Sequence, residues 1–180
     1  MRMDVYDARK IAVVGIPGSG KTRLTKELAG VLNLSPFYMD VHFLRNFKGL
    51  DMKEKISLVS KGIEEETSKE SWIIDGNYPS HGEALKLRME RADVVLYLNL
   101  PVDVCVENIQ KRGYLDVEAM NALDSEESLE ELIFQVQNYE EKNGKVKHAL
   151  QTYASDKYVE LNSKEDVDNF IEQLKKQKNG

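Results

Sequence analysis

Short apolar runs alternate along the chain with longer stretches whose apolar residues recur every three or four positions. The runs are KIAVV from Lys10, FYMD from Phe37, WIID from Trp72, DVVLYLNL from Asp93 and KYVEL from Lys157. Runs of this length separated by helical periods are the pattern of βαβ units, in which doubly buried strands form a parallel sheet under flanking helices. The predicted fold class is therefore α/β, a sheet with helices on both faces.

Between the runs, Leu24, Leu28, Val31 and Leu32 make one helical stripe, and Met52, Ile56, Val59 and Ile63 make a second, each expected to face a core. A third helix is predicted from His81 to Arg91. A fourth carries Val102, Cys105, Val106 and Ile109 and stops at Gly113, and a fifth carries Leu129, Leu132, Ile133 and Val136. Ser163, with Asp166 three positions on, predicts the cap of a last helix whose stripe is Val167, Phe170, Ile171 and Leu174, and the tail KKQKNG is expected to fray. No repeat or low-complexity linker divides the chain, so residues 1–180 are read as one domain. Its two long connections, 41–71 and 113–157, are where specificity is added to a common sheet.

A length of 180 residues with 41% hydrophobic content suits such a domain. The 25 Lys and Arg residues against 31 Asp and Glu residues leave a net charge of −6, which argues against a nucleic-acid partner. The single cysteine, Cys105, excludes an internal disulfide, and its valine neighbours mark it as a small buried hydrophobe. The first residues lack the apolar run of a secretory signal, and no segment approaches the roughly 20 apolar residues of a membrane span. These features predict a cytoplasmic protein without a membrane partner.

The chemistry begins at GIPGSGKT, directly after the first apolar run and directly before the first helical stripe. Gly15, Gly20, Lys21 and Thr22 satisfy G-x-x-x-x-G-K-[ST]. In that pattern glycines let successive N–H groups converge on phosphate oxygens, the lysine reaches the β and γ phosphates, and the hydroxyl ligates Mg²⁺. The predicted nucleotide-binding residues are Gly15, Pro17, Gly18, Ser19, Gly20, Lys21, Thr22 and Arg23, the last expected either to contact the α phosphate or to lie on the helix surface. Arg23 stands where G-x-G-x-x-G needs its last glycine, so a dinucleotide site is not indicated.

Asp75 and Asp40 end apolar runs, which places both at the carboxyl edge of the sheet, where open α/β sheets bind ligands. Asp75 is predicted to hold Mg²⁺ with Thr22. Asp40 is predicted to meet the hydroxyl of an acceptor or to assist the metal. Arg88 and Arg112 are the candidate cations for charge developing on a transferred phosphoryl group, ahead of Arg91, and Arg45 and Lys48 are candidates to meet an acceptor phosphate. An Asn-Lys-x-Asp guanine reader does not occur, which sets aside a GTPase. His42 and His81 are read as structural or solvated.

GIPGSGKTRLTKELAGVLNLSPFYMD and WIIDGNYPSHGEALKLRMERADVVLYLNLP resemble the bacterial topology modulation protein family, an adenylate-kinase-like branch of P-loop kinases, over roughly residues 10–112. More distantly the layout is similar to adenylate, shikimate and gluconate kinases. The resemblance implies a three-layer fold with a five-stranded parallel sheet in the order 2-3-1-4-5, an acceptor-binding segment at 41–71 and a lid at 113–130. It implies ATP and Mg²⁺ as cofactors and transfer of the γ-phosphoryl group to a nucleotide or nucleoside-like acceptor by a monomer or homodimer. A sugar or hydroxy-acid kinase, or an ATP-binding regulator with little turnover, are the alternatives. Lys21, Arg88 and Arg112 match the catalytic positions, and Asp40, Asn77, Tyr78 and Arg88 match the acceptor site. The chain departs from the family after Arg112. Residues 113–141 contain no Lys or Arg, and seven acids lie between Tyr114 and Glu131, so slow or narrow chemistry is expected.

Overall fold

The structure is a computed structural model and describes residues 4–112, 129–139 and 144–180. Its strands are β1 (Lys10–Gly15), β2 (Pro36–Tyr38), β3 (Trp72–Asp75), β4 (Val94–Leu98) and β5 (Tyr158–Leu161). They form one sheet in the order β2-β3-β1-β4-β5 with every pair parallel. The helices among the described residues are α1 (Lys21–Leu32), α2 (Met39–Phe43), α3 (Met52–Thr67), α4 (Ala84–Arg91), α5 (Val102–Arg112), α6 (Leu129–Gln137), α7 (Gly144–Tyr153) and α8 (Lys164–Asn179).

Alternation along β1 divides the helices into two layers. Ile11 and Val13 pack with Leu24 and Leu28 of α1, Cys105 and Ile109 of α5, and Val167 and Ile171 of α8. Ala12 and Val14 turn to the opposite face, with Val59 and Ile63 of α3, Met89 of α4, and Val146 and Leu150 of α7. Each strand face is apolar because each meets its own helix layer. Burial pushes the Cys105 thiol up to about 11, so it remains a protonated packing group.

Several elements differ from the sequence expectation. The second strand ends at Tyr38, whose ladder partner Asp75 is the last residue of β3, so Met39 and Asp40 enter α2. The helix predicted from His81 begins at Ala84, which leaves His81 in the preceding turn. Met52 is exposed: it is the first residue of α3, inside the Asp51–Glu54 capping box, and Val59 and Ile63 make the core contact. The C-terminal tail is helical through Asn179, held by Lys178 Nζ donating to the Gly30 carbonyl at 3.1 Å and Gln177 donating to Asp4 at 3.1 Å. Helix α7 falls within the connection read between 113 and 157, and it packs on α4. Among the described residues no helix is long and apolar enough to cross a membrane.

Candidate active site

The carboxyl ends of β1 and β3 bring together the loop from Gly15 to Gly20, Asp75, and the turn from Gly76 to Tyr78. Backbone crowding explains two of the loop glycines. A Cβ on Gly15 would lie 2.4 Å from the Leu98 carbonyl oxygen of β4, and one on Gly18, at φ +83°, would lie 2.5 Å from the Cys105 carbonyl oxygen of α5. Asn108 of α5 supports the same loop, donating to the Gly18 carbonyl at 2.9 Å.

Three features of this loop fit a bound polyphosphate. Helix α1 starts at Lys21 with no side chain capping its first N–H groups, which leaves donors and the positive end of the helix dipole at the loop. The Ser19 hydroxyl is buried without a hydrogen-bond partner. The Lys21 ammonium curls over the loop, donating to the Gly15 carbonyl at 2.9 Å and the Ile16 carbonyl at 3.3 Å, within reach of anything the loop holds.

Thr22 Oγ1 donates to Asp75 Oδ2 at 3.0 Å. Burial pushes the Asp75 carboxyl up to about 6, opposed by Lys21 and by the Thr22 bond, raised further by Asp40 and lowered by Arg88. One hydroxyl and one carboxylate suit Mg²⁺, which keeps several waters and takes phosphate oxygens to complete its shell. Among the described residues no group of three or more His, Cys, Asp or Glu could hold a metal ion.

Arg88 departs from its expected place. It is fully buried, and its guanidinium donates to the Ala84 carbonyl at 3.1 Å and to the Gly76 and Asn77 carbonyls. Burial lowers it to about 10, while Asp75 and then Tyr78 favour its charge. In this arrangement Arg88 braces the turn after β3 and faces no solvent. Asn77, expected at the acceptor, instead clasps the main chain of Gly15, accepting its N–H at 3.0 Å and donating to its carbonyl at 2.7 Å. Arg23 reaches away from the loop to Asp168 of α8 at 2.7 Å, and Arg91 bonds Thr67 and Glu64, both at 2.9 Å.

Asp40 and Tyr78 do come together. The Tyr78 hydroxyl donates to Asp40 Oδ1 at 2.6 Å, and Asp40 is exposed. Tyr78 sits at φ +49°, an uncommon conformation for a side-chain-bearing residue, and burial and the Asp40 charge push its phenol well above the ordinary value. Its ring lies 5.0 Å from His81 and 6.4 Å from Phe47, and Phe47 and His81 stack at 5.8 Å with planes 8° apart. Lys55 sits 5.5 Å above Phe47. Burial and then Lys55 lower the His81 pKa, which favours a neutral ring. The segment 41–71 thus brings Phe47 and Lys55 to a partly exposed aromatic corner beside Asp40.

Arg112 is the last residue of α5, and its side chain lies outside the described residues, as does 113–128 of the expected lid. Sequence reasoning missed Asn108 and also Tyr139, whose hydroxyl accepts from Asn77 Nδ2 at 3.1 Å. Neither belongs to a local motif, so nothing near them in the chain marks them.

No family model matches the chain. Over 118 residues it is 28% identical to the cytidylate kinase of Pyrococcus horikoshii, an alignment covering 62% of this chain and 62% of that protein. The chain thus spans less than two thirds of the length of the curated relative it matches. Shikimate kinase from Bacteroides thetaiotaomicron superposes with a TM-score of 0.59 at 18% identity, over 94% of this chain and 98% of that one. Deoxyadenosine kinase from M. mycoides with bound dATP gives 0.51 at 18% identity, over 95% of this chain and 100% of that one. At these identities the likeness is one of architecture: the chain has the three-layer fold of the P-loop NTPase kinases, with the strand order that their resemblance implies.

Proposed function

We propose that the chain is an ATP-dependent small-molecule kinase that transfers a γ-phosphoryl group to a nucleotide or nucleoside-like acceptor. The observation that carries this reading is the Thr22–Asp75 contact at 3.0 Å, at the foot of a G-x-x-x-x-G-K-T loop whose lysine lies over the loop carbonyls. The 28% identity to a cytidylate kinase and the architecture shared with shikimate and deoxyadenosine kinases support it.

In this reading the loop N–H groups and the end of α1 bind the triphosphate and orient its terminal phosphorus. Lys21 follows the negative charge as it spreads onto the transferred group. Thr22 and Asp75 hold Mg²⁺, which neutralises phosphate charge when bound. Arg88 serves as a brace for the Gly76–Asn77 turn, and Arg112 remains the proposed second cation.

The acceptor meets Asp40, Tyr78 and the rings of Phe47 and His81. A flat ring matches the aromatic corner, which favours a nucleobase. The exposed Asp40 carboxylate favours an acceptor hydroxyl, because an alcohol must lose a proton on attack whereas a phosphate monoester is already ionised. That second observation keeps a sugar or hydroxy acid as the alternative. The resemblance to topology modulation proteins belongs to the same proposal and adds no separate chemistry.

The test is ADP release with MgATP and a panel of nucleosides, their monophosphates, sugars and hydroxy acids. Turnover with one acceptor class supports the proposal. An absence of both MgATP binding by calorimetry and ADP release would overturn it.

A further inference from the structure

Every polar group of the Asn77 side chain is engaged. Oδ1 accepts the Gly15 N–H at 3.0 Å, and Nδ2 donates to the Gly15 carbonyl at 2.7 Å and to the Tyr139 hydroxyl oxygen at 3.1 Å. A flipped amide would set oxygen against the Gly15 carbonyl and nitrogen against its N–H, so the partners allow one orientation. The Gly15 carbonyl also accepts from Lys21 Nζ at 2.9 Å. A polyphosphate in the loop draws that ammonium toward itself, and Asn77 then keeps the Gly15 carbonyl paired.

Tyr139 lies two residues beyond α6, within the second long connection. Its ring packs against the core on the α1 and α5 side of the sheet. Burial, and then the neighbouring Tyr97, push its phenol above the ordinary value, so it stays protonated. A neutral phenol held by packing is a fixed acceptor for the outer N–H of Asn77.

We infer that Tyr139 is a positioning residue for the nucleotide loop: its oxygen fixes the Asn77 amide, and Asn77 fixes the Gly15 main chain when Lys21 turns to a polyphosphate. The inference rests on the reading of this loop as a triphosphate site and goes beyond it, since it assigns a role to a residue 62 positions from Asn77 and outside every motif.

The test compares Tyr139→Phe, which removes only the oxygen, with Asn77→Ala and with the double variant. The probe is adenylyl imidodiphosphate with Mg²⁺, and the readout is its Kd by calorimetry. Tyr139→Phe is expected to weaken binding by about 3- to 10-fold, the size of one lost hydrogen bond. In the Asn77→Ala background it is expected to add less than about 2-fold, because the effect passes through Asn77. Equal affinity of Tyr139→Phe and wild type, or an undiminished effect without Asn77, would overturn the inference.

A second readout uses the ligand-free protein. The amide resonance of Gly15, whose N–H Asn77 accepts, is expected to shift and to exchange faster in Tyr139→Phe; an unchanged resonance and exchange rate would overturn the coupling. If wild type binds no analogue, the triphosphate reading falls and the positioning role falls with it. The Gly15 resonance then reports only whether the Tyr139–Asn77 link exists.

Discussion

Thr22 and Asp75 are joined across 3.0 Å, which ties the first turn of α1 to the last residue of β3. The bond leaves a desolvated carboxylate at the carboxyl edge of the sheet, and burial sets its pKa at about 6 against an ordinary 3.8. Folding therefore takes up a proton between these values. The stability this group contributes is complete below 3.8 and is lost as pH rises through about 6. The loss in ligand-free protein amounts to about 3 kcal/mol.

Asp75→Asn keeps an oxygen for the Thr22 hydroxyl and removes the buried charge. Its urea midpoint without Mg²⁺ or nucleotide should exceed that of wild type at neutral pH, and the gap should close as pH falls below about 4. The same variant should lose Mg²⁺ dependence of turnover. A difference between the two proteins that does not vary with pH would remove the buried carboxylate from this account.

Lys21→Ala deletes a half-exposed side chain whose ammonium rests on the Gly15 and Ile16 carbonyls. Turnover should fall by about 10²- to 10³-fold, as for loss of one preorganised cation at the developing charge. The thermal midpoint should fall only modestly at neutral pH, because no core contact is removed although Asp75 loses a positive neighbour. ADP release with acceptor and a melting curve on one preparation decide it, and a variant that retains wild-type turnover contradicts the kinase proposal.

Arg88→Met should be among the most destabilising single changes in the chain. It takes the guanidinium donors away from the Ala84, Gly76 and Asn77 carbonyls and removes a positive neighbour from Asp75. The expected cost is about 3 kcal/mol or more by chemical denaturation. Arg88→Lys, with one donor group in place of a planar fork, should recover only part of it. If instead the Met variant matches wild type in stability and loses only turnover, Arg88 acts on the phosphoryl group directly.

Gly18→Ala tests the crowding behind the loop. The added methyl would meet the Cys105 carbonyl oxygen at 2.5 Å and Ile109 at 2.9 Å, with φ at +83°. A stability loss of about 1–3 kcal/mol and weaker binding of nucleotide are expected. Unaltered melting and affinity would mean that α5 yields without resistance.

The part of this architecture visible in the sequence is the part encoded by neighbours in the chain. The five apolar runs all correspond to strands, and GIPGSGKT lies between a strand and a helix as its chemistry requires. Asp75 stands where the end of its run puts it. Asn77 and Arg88 lie close to Asp75, yet most of their partners are main-chain groups whose position depends on how a turn closes, which periodicity does not encode. Asn77 bonds Gly15 and Tyr139, each 62 residues away in opposite directions. Helix α7 did carry a periodic signal in Val146, Ala149 and Leu150, but Lys145, Lys147 and His148 interleave with it and dilute the stripe.

The three residues of β2 pair with β3 alone, at the margin of the sheet, whereas β1 is hydrogen-bonded on both sides. The Gly15–Gly20 loop thus follows a strand with partners on both sides, and Asp40 follows a strand with a partner on one. In the proposed kinase, substitutions that reshape the Asp40 corner disturb a strand held by one ladder, while the loop proposed to grip the phosphates keeps a strand held by two.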